Sequence, residues 1–410
     1  MVLNIQRPIP AAPAVAAGEP SMTARSRPLR ILHVFRAPVG GLFRHVLDVA
    51  RGQSERGHAV GILCDESTGG ARAEELLAAL GPHLALGVTR LPMRRNPHPR
   101  DFPALLAARR IARALRADVL HGHGAKGGLY ARLALSRRGE AISAYTPHGG
   151  SFNYAPGTTR HAVYMSAERF MARRTDVFLF ESDYIAGCFR AGVGETDRVV
   201  RIVYNGLAPA EFEPVRSAAE PFDLMQIGEL RPGKGVDTLI DALALLRHDR
   251  GMRLTLLVVG SGPSERELKA RAEAAGVADA ITFMPQQPIR QVLGRGRLMV
   301  MPSHAESLPY VILEAAAAAQ PLLATRVGGI PEIFGPQGDA LIAPADAALL
   351  AAALSRTLAE PDETTITKAE ALQRFVRGRF SLAAMVDGVL AGYAEAHARR
   401  AAAHDRAAAA

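Results

Sequence analysis

The chain alternates short apolar runs with segments of helical periodicity. In its first half the apolar runs are nearly continuous, which is typical of parallel strands buried on both faces. The residues that follow several of these runs are apolar at spacings of three and four, the pattern of an amphipathic helix. We predict strands at residues 29–35, 59–64, 119–123, 141–146, 177–181 and 200–203, and helices at 42–49, 72–80 and 160–174.

The same alternation restarts after a proline-rich stretch. Residues 208–221 contain Pro209, Pro214 and Pro221 and are typical of a linker. Beyond it we predict strands at 222–227, 254–259, 281–284, 298–301 and 321–325, helices at 236–246, 264–275, 345–358 and 382–396, and a short helix from Gln291. The pattern indicates an α/β protein with two doubly wound domains, and we expect the ligand site in the cleft between them.

These boundaries divide the chain into a disordered tail at 1–28, an N-terminal domain at 29–207, a linker at 208–221, a C-terminal domain at 222–381, and a final helix and tail at 382–410. The tail lacks the continuous apolar core of a signal peptide. No segment has the length and hydropathy of a transmembrane helix. The two cysteines, Cys64 and Cys188, match no metal or redox spacing, so we expect a cytoplasmic protein.

The chain is basic, with a net charge of +9 and a pI of about 10.0. No motif combines aromatic and basic residues in the manner of nucleic-acid-binding proteins, so nucleic acid is not an expected partner. Anionic small molecules and anionic membrane surfaces fit the charge. Arginines at 109, 110, 113 and 116 alternate with apolar residues at helical spacing. This segment is either a helix that lies on a membrane surface or the solvated face of an ordinary helix.

Residues 303–319, SHAESLPYVILEAAAAA, follow a predicted strand and begin a helix. We predict that Pro309 occupies the first helical position and that Ser307 caps the helix. The free amides and the dipole of such a helix start favour an anion. Glu306 in the loop and Glu314 on the helix are either part of that site or two surface glutamates.

Glycines and histidines follow other predicted strands. Gly40 and Gly41 follow the first strand, and the turn at 228–235 carries Arg231 and Lys234. No G-x-G-x-x-G follows the first strand, which argues against a dinucleotide-binding oxidoreductase. His148 follows the strand at 141–146, and His123 ends the strand before it. The two histidines either contact a ligand at the sheet edge or satisfy loop backbone.

Together these motifs identify a family resemblance. Its elements are Gly40-Gly41, His148 in TPHGG, the Tyr204-Asn205-Gly206 sequence, GELRPGKGVDTLIDAL at 228–243, the turn at 260–263, the pair Glu306 and Glu314, and VGGIPE at 327–332. From about residue 29 to 396 the chain resembles the family 4 retaining glycosyltransferases of GT-B fold, of the bacterial exopolysaccharide and lipopolysaccharide type. The chain departs from the family at Gly228-Glu229-Leu230, where Glu229 replaces the usual phosphate-binding arginine. Arg231 is the nearest substitute.

The resemblance implies a role for each site residue. Glu306 and His148 would be catalytic, and Glu314 and Gln287 would contact the nucleoside. The donor diphosphate would be held by Gly40, Gly41, Arg231, Lys234 and the amides of Ser307, Leu308 and Tyr310. His123, Lys126, which with two glycines is predicted to precede a helix, and Asn205 would contact the sugar or acceptor. No Asp-x-Asp signature stands in a suitable loop, so the resemblance implies no metal and no cofactor.

The implied function is transfer of a sugar from a nucleotide-sugar donor to a glycan or a lipid-linked saccharide, with retention of configuration, in cell-surface polysaccharide synthesis. The partners would be that donor, that acceptor and an anionic membrane surface at the cytoplasmic face. Two alternatives remain open, a sugar-nucleotide epimerase of GT-B fold and a non-catalytic protein that binds nucleotide sugars. The final helix is expected to cross back to the first domain.

Overall fold

The computed structural model describes residues 27–136, 139–154 and 157–408, which form two parallel sheets covered by helices. The predicted tail at 1–28 lies outside the described residues except for its last two positions. The predicted fold class, an α/β protein with two Rossmann-like units, is confirmed. Within the described residues no helix is long and apolar enough to span a membrane.

The first sheet has seven strands in the order β3-β2-β1-β4-β5-β6-β7. Its strands are β1 Arg30–Phe35, β2 Ala59–Asp65, β3 Gly87–Leu91, β4 Val119–His123, β5 Ile142–Thr146, β6 Val177–Phe180 and β7 Val199–Ile202. Its helices are α1 Gly40–Glu55, α2 Gly70–Leu80, α3 Asp101–Ala114, α4 Gly124–Ala134, α5 Thr159–Ala172 and α6 Asp183–Gly192. The register places Phe35, His123 and Thr146 side by side at the carboxyl edge.

The second sheet has five strands in the order β10-β9-β8-β11-β12. Its strands are β8 Phe222–Ile227, β9 Leu256–Val259, β10 Ile281–Met284, β11 Gly296–Met301 and β12 Leu322–Ala324. The remaining helices are α7 Val236–Arg250, α8 Glu265–Ala274, α9 Ile289–Val292, α10 Tyr310–Ala317, α11 Ile330–Phe334, α12 Ala347–Ala359, α13 Asp362–Arg379 and α14 Leu382–Ala408. Apolar side chains cover both faces of this sheet, as its continuous apolar runs require.

Four helices and strands were not predicted, namely β3, α6, α13 and the five-residue α11. Strand β3 lies at the sheet edge and is largely exposed, so it carries no apolar run. Helix α6 begins where the sequence indicated only the end of a strand, because Ser182 caps the helix by accepting the amide of Ile185. Helix α13 is mostly polar and buries only a narrow stripe.

The starts of two helices differ from the predictions. Helix α10 begins at Tyr310, whereas Pro309 has an extended backbone and no side chain caps the helix. Ser307 does not cap because residues 303–309 run as an open loop, in which its carbonyl accepts the amide of Gly329 at 2.6 Å. Helix α4 already begins at Gly124, so Lys126 lies inside the helix rather than before it.

Helix α14 crosses from the second unit to the first, as the resemblance implied. It is longer than the predicted 382–396, and its side chains Met385, Val389 and Tyr393 pack into the core of the first sheet. The two chain segments that join the units run side by side, because Leu207 exchanges backbone hydrogen bonds with Phe380 and Leu382. A methyl group at Gly206 would lie 2.5 Å from the carbonyl oxygen of Ser381, so this crossing requires glycine there.

Candidate functional site

The amino ends of two helices from different units approach each other across the cleft. Gly40 begins α1 in the left-handed region, with φ of +66°, and Tyr310 begins α10. A methyl group added at Gly41 would lie 3.4 Å from Cδ2 of Tyr310. The predicted glycine turn therefore reaches the end of residues 303–310, the segment predicted to hold the donor and called the donor loop below. Among the residues that the structure describes, the amides of Ser307, Leu308 and Tyr310 donate to no protein acceptor. These amides are available to an anion at the start of α10.

Lys234 and Glu306 form a buried ion pair beside this loop. The Lys234 Nζ lies 2.6 Å from Glu306 Oε1, which also accepts the Ser303 hydroxyl at 2.7 Å. Their side chains are only 11% and 7% exposed. The structure therefore brings two of the predicted site residues into direct contact.

Glycines allow the loops that carry this pair to interlock. Gly235 is left-handed, with φ of +67°, and a methyl group there would lie 2.0 Å from the Pro302 carbonyl oxygen. Gly328 is also left-handed, and its methyl group would lie 1.9 Å from the carbonyl oxygen of Glu306. Because no side chain fits at either position, the backbone holds Lys234 and Glu306 at a fixed separation.

Arg231 does not join the pair. Its side chain is 43% exposed, and its Nε donates a hydrogen bond to Glu229 at 3.1 Å. Glu229 is the residue that stands in place of the expected arginine. Of the two cations predicted to hold a diphosphate, only Lys234 is enclosed.

Glu314 already has a protein partner, which sequence reasoning missed. Arg44, one turn into α1, donates to Glu314 and also to Glu211 at 2.6 Å. The Arg44 guanidinium lies over the ring of Tyr310, 4.4 Å from its centroid. Burial raises the pKa of Glu314 to about 7, while Arg44 opposes that rise. The only signal for Arg44 in the sequence is a basic residue one turn after the glycine pair.

His148 belongs to a cluster of histidines at the carboxyl edge of the first sheet. It has a left-handed backbone, with φ of +51°, and is half-buried; its Nε2 lies 3.1 Å from Nδ1 of His123. His45 of α1 packs edge-on against it, with 4.7 Å between ring centroids. Burial lowers the pKa of all three well below the usual range, so the rings are neutral at pH 7. His45 was not predicted.

Glu181 at the end of β6 supports the loop of His148. Its Oε1 accepts the amide of Gly149 at 2.8 Å, and its Oε2 has no hydrogen-bond partner within the described part of the chain. Burial raises the pKa of Glu181 to about 7.

The remaining predicted residues have other partners or positions. Asn205 bridges the units, since its Nδ2 donates to the carbonyl of Leu308 at 2.9 Å and its Oδ1 lies 3.0 Å from His45 Nδ1. Lys126 forms an ion pair with Asp101 at 2.6 Å, which uses its charge within the first unit. Gln287 is exposed in the loop between β10 and α9.

A further contact between the units involves Glu332. Its two carboxylate oxygens accept the amides of Asp183 and Tyr184 at 2.8 and 2.9 Å, so Glu332 caps a helix of the other unit. The sequence placed this residue in the VGGIPE motif without a role.

Two sequence families match the chain. Residues 39–211 match Glycosyltransferase Family 4, and residues 209–374 match Glycosyl transferases group 1. The chain is 35% identical over 174 residues to a D-inositol 3-phosphate glycosyltransferase of Segniliparus rotundus, a match that spans 41% of this chain and 38% of that protein. It is 29% identical over 356 residues to a glycogen synthase of Mycobacterium tuberculosis, which covers 79% of this chain and 83% of the relative.

Solved structures share the same fold. A crystal structure of Anabaena Alr3699/HepE in complex with UDP-glucose aligns over 90% of this chain and all of its own, with a TM-score of 0.74 and 19% identity. A sucrose-phosphate synthase from Thermosynechococcus elongatus aligns over the same shares, with a TM-score of 0.73 and 20% identity. At these identities the likeness concerns the fold. The chain therefore belongs to the GT-B glycosyltransferases, with a Glycosyltransferase Family 4 domain followed by a Glycosyl transferases group 1 domain.

Proposed function

We propose that the protein transfers a sugar from a nucleotide-sugar donor to an oligosaccharide or lipid-linked saccharide, with retention of configuration and without a metal ion at the diphosphate. The observation that carries this proposal is the buried Lys234–Glu306 pair beside the free amides of the donor loop. A diphosphate leaving group needs positive charge and hydrogen-bond donors, and this corner of the cleft offers both.

Lys234 neutralises charge as the bond between the anomeric carbon and the diphosphate oxygen breaks. Its ammonium has three donors and uses one on Glu306, so others remain for phosphate oxygens. The amides of Ser307, Leu308 and Tyr310 add hydrogen bonds, and Gly40 and Gly41 allow the first unit to approach the phosphates closely.

Glu306 accepts hydrogen bonds from sugar hydroxyls, and its negative charge stabilises the positive charge that develops at the anomeric carbon. The acceptor hydroxyl enters on the face from which the diphosphate departs, and the departing phosphate oxygen takes its proton. His148, neutral and half-buried, contacts the sugar or phosphate from the other wall.

Glu314 is the proposed ligand of the ribose hydroxyls. Arg44 donates to this carboxylate, so donor binding requires Arg44 to release it or to share it. The exposed Gln287 loop follows β10 at the same edge of the second sheet and is the proposed place of the base.

The relatives support a nucleotide-sugar donor, because UDP and UDP-glucose are bound in solved structures of the same fold. Sugar transfer is supported by the match to a putative glycosyltransferase EpsD of Bacillus subtilis, 29% identical and spanning 60% of this chain and 68% of that protein. The proposed acceptor in cell-surface polysaccharide synthesis rests on the family resemblance of the sequence motifs.

Attachment to an anionic membrane surface is supported by α3. Its buried face consists of Ala104, Ala108 and Ala112, whereas Phe102, 68% exposed, lies on the outer face with Arg110. Exposed apolar and basic side chains on one helix face are typical of helices that lie on a membrane.

The proposal is tested first by thermal shift with a panel of nucleotide sugars, since a ligand that binds the native state raises its Tm. The donor that raises it is then incubated with undecaprenyl-diphosphate-linked saccharides and soluble oligosaccharides, and the anomeric configuration of the product is read by NMR. We expect acceptor-dependent transfer with retention, insensitive to EDTA.

Other outcomes would assign the protein differently. Conversion of the donor to its epimer without acceptor would identify an epimerase. Donor binding without turnover across the acceptor panel would identify a binding protein. An inverted product would overturn the retaining assignment.

A further inference from the structure

The hydrogen bonds around His45 determine which of its nitrogens carries the proton. Asn205 Nδ2 donates to the Leu308 carbonyl, which can only accept, so Asn205 Oδ1 faces His45 Nδ1 and must receive its hydrogen. An imidazole that carries its hydrogen at Nδ1 has a lone pair at Nε2. The Nε2 of His45 is buried and has no hydrogen-bond partner among the described residues.

A second chain of hydrogen bonds sets the tautomer of His123. Gln53 Oε1 accepts from His33 Nε2 at 2.8 Å, and an imidazole with its hydrogen at Nε2 presents a lone pair at Nδ1. That lone pair lies 2.9 Å from His123 Nε2, which must therefore carry the hydrogen. His123 Nδ1 is then bare and faces His148 Nε2 at 3.1 Å.

The rings of His45 and His123, each with a bare nitrogen, both pack against the ring of His148, whose Nε2 faces His123 Nδ1. One ring nitrogen from each of His45, His123 and His148 lies within 4.8 Å of one from each of the other two. Ligands at 2.0–2.1 Å from a tetrahedral Zn²⁺ are about 3.3 Å apart. The His123–His148 separation already approaches that value, and a side-chain adjustment on the order of 1 Å brings in the third nitrogen.

We propose that His45, His123 and His148 form a binding site for a transition-metal dication, Zn²⁺ in preference to Mg²⁺, on the inner wall of the cleft. Three neutral imidazoles suit Zn²⁺, Co²⁺ and Ni²⁺, and leave a fourth position for water or an anion. Asn205 orients His45 through its far nitrogen, as outer partners of metal-binding histidines do.

A neighbouring trio, His33, His121 and His123, is equally close but has no nitrogen to spare. His121 bonds Tyr393 and Thr146 through its two nitrogens, and His33 uses both of its own. The site is therefore assigned to the trio that contains the orphaned nitrogen.

Occupation of this site has a consequence for transfer. It takes up His148 Nε2 and ties α1 to the ends of β4 and β5, while Asn205 links the same site to the donor loop. We expect added Zn²⁺ to lower the transfer rate of the metal-stripped chain and EDTA to restore it, whereas EDTA without added Zn²⁺ leaves the rate unchanged. Binding itself is measured without a donor, so its failure is distinguishable from failure of the proposed transferase function.

The test is titration of ZnCl₂ into the EDTA-stripped, dialysed full chain by isothermal calorimetry, with MgCl₂ as comparison. We expect one equivalent of Zn²⁺ to bind, with affinity lowered at least about 100-fold in His45→Gln and about 10–100-fold in Asn205→Ala. His248→Ala, which removes an exposed histidine outside the cluster, is expected to bind as the wild type does.

The Co²⁺ spectrum of the wild type decides the matter if the variants do not fold, as judged by circular dichroism. Strong visible d–d bands are expected for tetrahedral nitrogen ligands, and weak octahedral bands would overturn the proposal. The absence of a stoichiometric Zn²⁺ site, or unchanged affinity in folded His45→Gln, would overturn it as well.

Discussion

Replacement of Lys234 by methionine tests the site most directly, because it removes the charge while keeping much of the side-chain volume. The Glu306 carboxylate, 7% exposed, then retains the Ser303 hydroxyl as its hydrogen-bond partner. Removing one member of a buried ion pair costs about 3–5 kcal/mol of folding free energy. Removing one electrostatic stabiliser of a transition state lowers kcat about 10²–10³-fold. We expect both losses in Lys234→Met.

Two further variants separate the losses. Lys234→Met combined with Glu306→Gln leaves no uncompensated charge, so urea denaturation is expected to show most of the stability recovered while transfer stays low. Arg231→Met is the matched control, because its pair with Glu229 is exposed and such pairs contribute about 0–1 kcal/mol. We expect near-normal stability and donor affinity there.

The assay is donor turnover with acceptor at saturating donor, together with unfolding curves for each variant. Turnover by Lys234→Met within about threefold of the wild type would refute the assignment of Lys234 to the leaving group. A greater loss of turnover in Arg231→Met than in Lys234→Met would show that the exposed arginine carries the role instead.

Three other predictions concern charge and surface. Arg44→Gln leaves the Glu314 carboxylate among acidic neighbours, so we expect urea unfolding at pH 8 to show a loss of about 3 kcal/mol in stability. The loss should shrink at pH 5, because the pKa of Glu314 is raised to about 7 and the carboxyl is then protonated. An equal loss at both pH values would contradict this. Burial raises the pKa of Glu181 to about 7, so the carboxyl binds a proton more tightly in the folded protein than in the unfolded chain. The stability of the wild type relative to Glu181→Gln should therefore fall by about 3 kcal/mol as the pH rises from 4.5 to beyond 7. Thermal melts of the two proteins with parallel pH profiles would refute this prediction. Phe102→Ser should weaken sedimentation of the protein with phosphatidylglycerol vesicles. Ile366→Ser, which also removes an exposed apolar side chain but from α13, should not. Equal effects of the two substitutions would contradict a role of α3 in membrane attachment.

Most of the architecture was predictable from the sequence, because buried parallel strands are visible in it as continuous apolar runs. The elements that were missed are those whose stability depends on their neighbours. Strand β3 is held by pairing with β2 rather than by its own apolar pattern. Helix α13 is polar along most of its length and packs on α10 through Leu372 and Val376.

The sequence also indicated several residues of the site, since glycine turns, a helix start and the Glu306–Glu314 spacing are local features. It did not indicate the pairing of those residues. Lys234 and Glu306 are 72 positions apart, and Arg44 and Glu314 are 270 apart. The pairing of such residues depends on how the loops pack against each other and how the two units contact each other. No local sequence pattern contains that information.

The chain by itself determined two α/β units, the edges of their sheets at which we propose that the ligand binds, and the kinds of charge available there. Only the tertiary structure decided that Arg231 faces solvent, that Arg44 holds Glu314, and that His45 joins His123 and His148. The physical reason is that apolar periodicity is a property of neighbouring residues. Burial and pairing of a charge depend instead on atoms brought together from distant segments. Burial and pairing in turn shift the pKa values and determine the histidine tautomers on which the proposed chemistry depends.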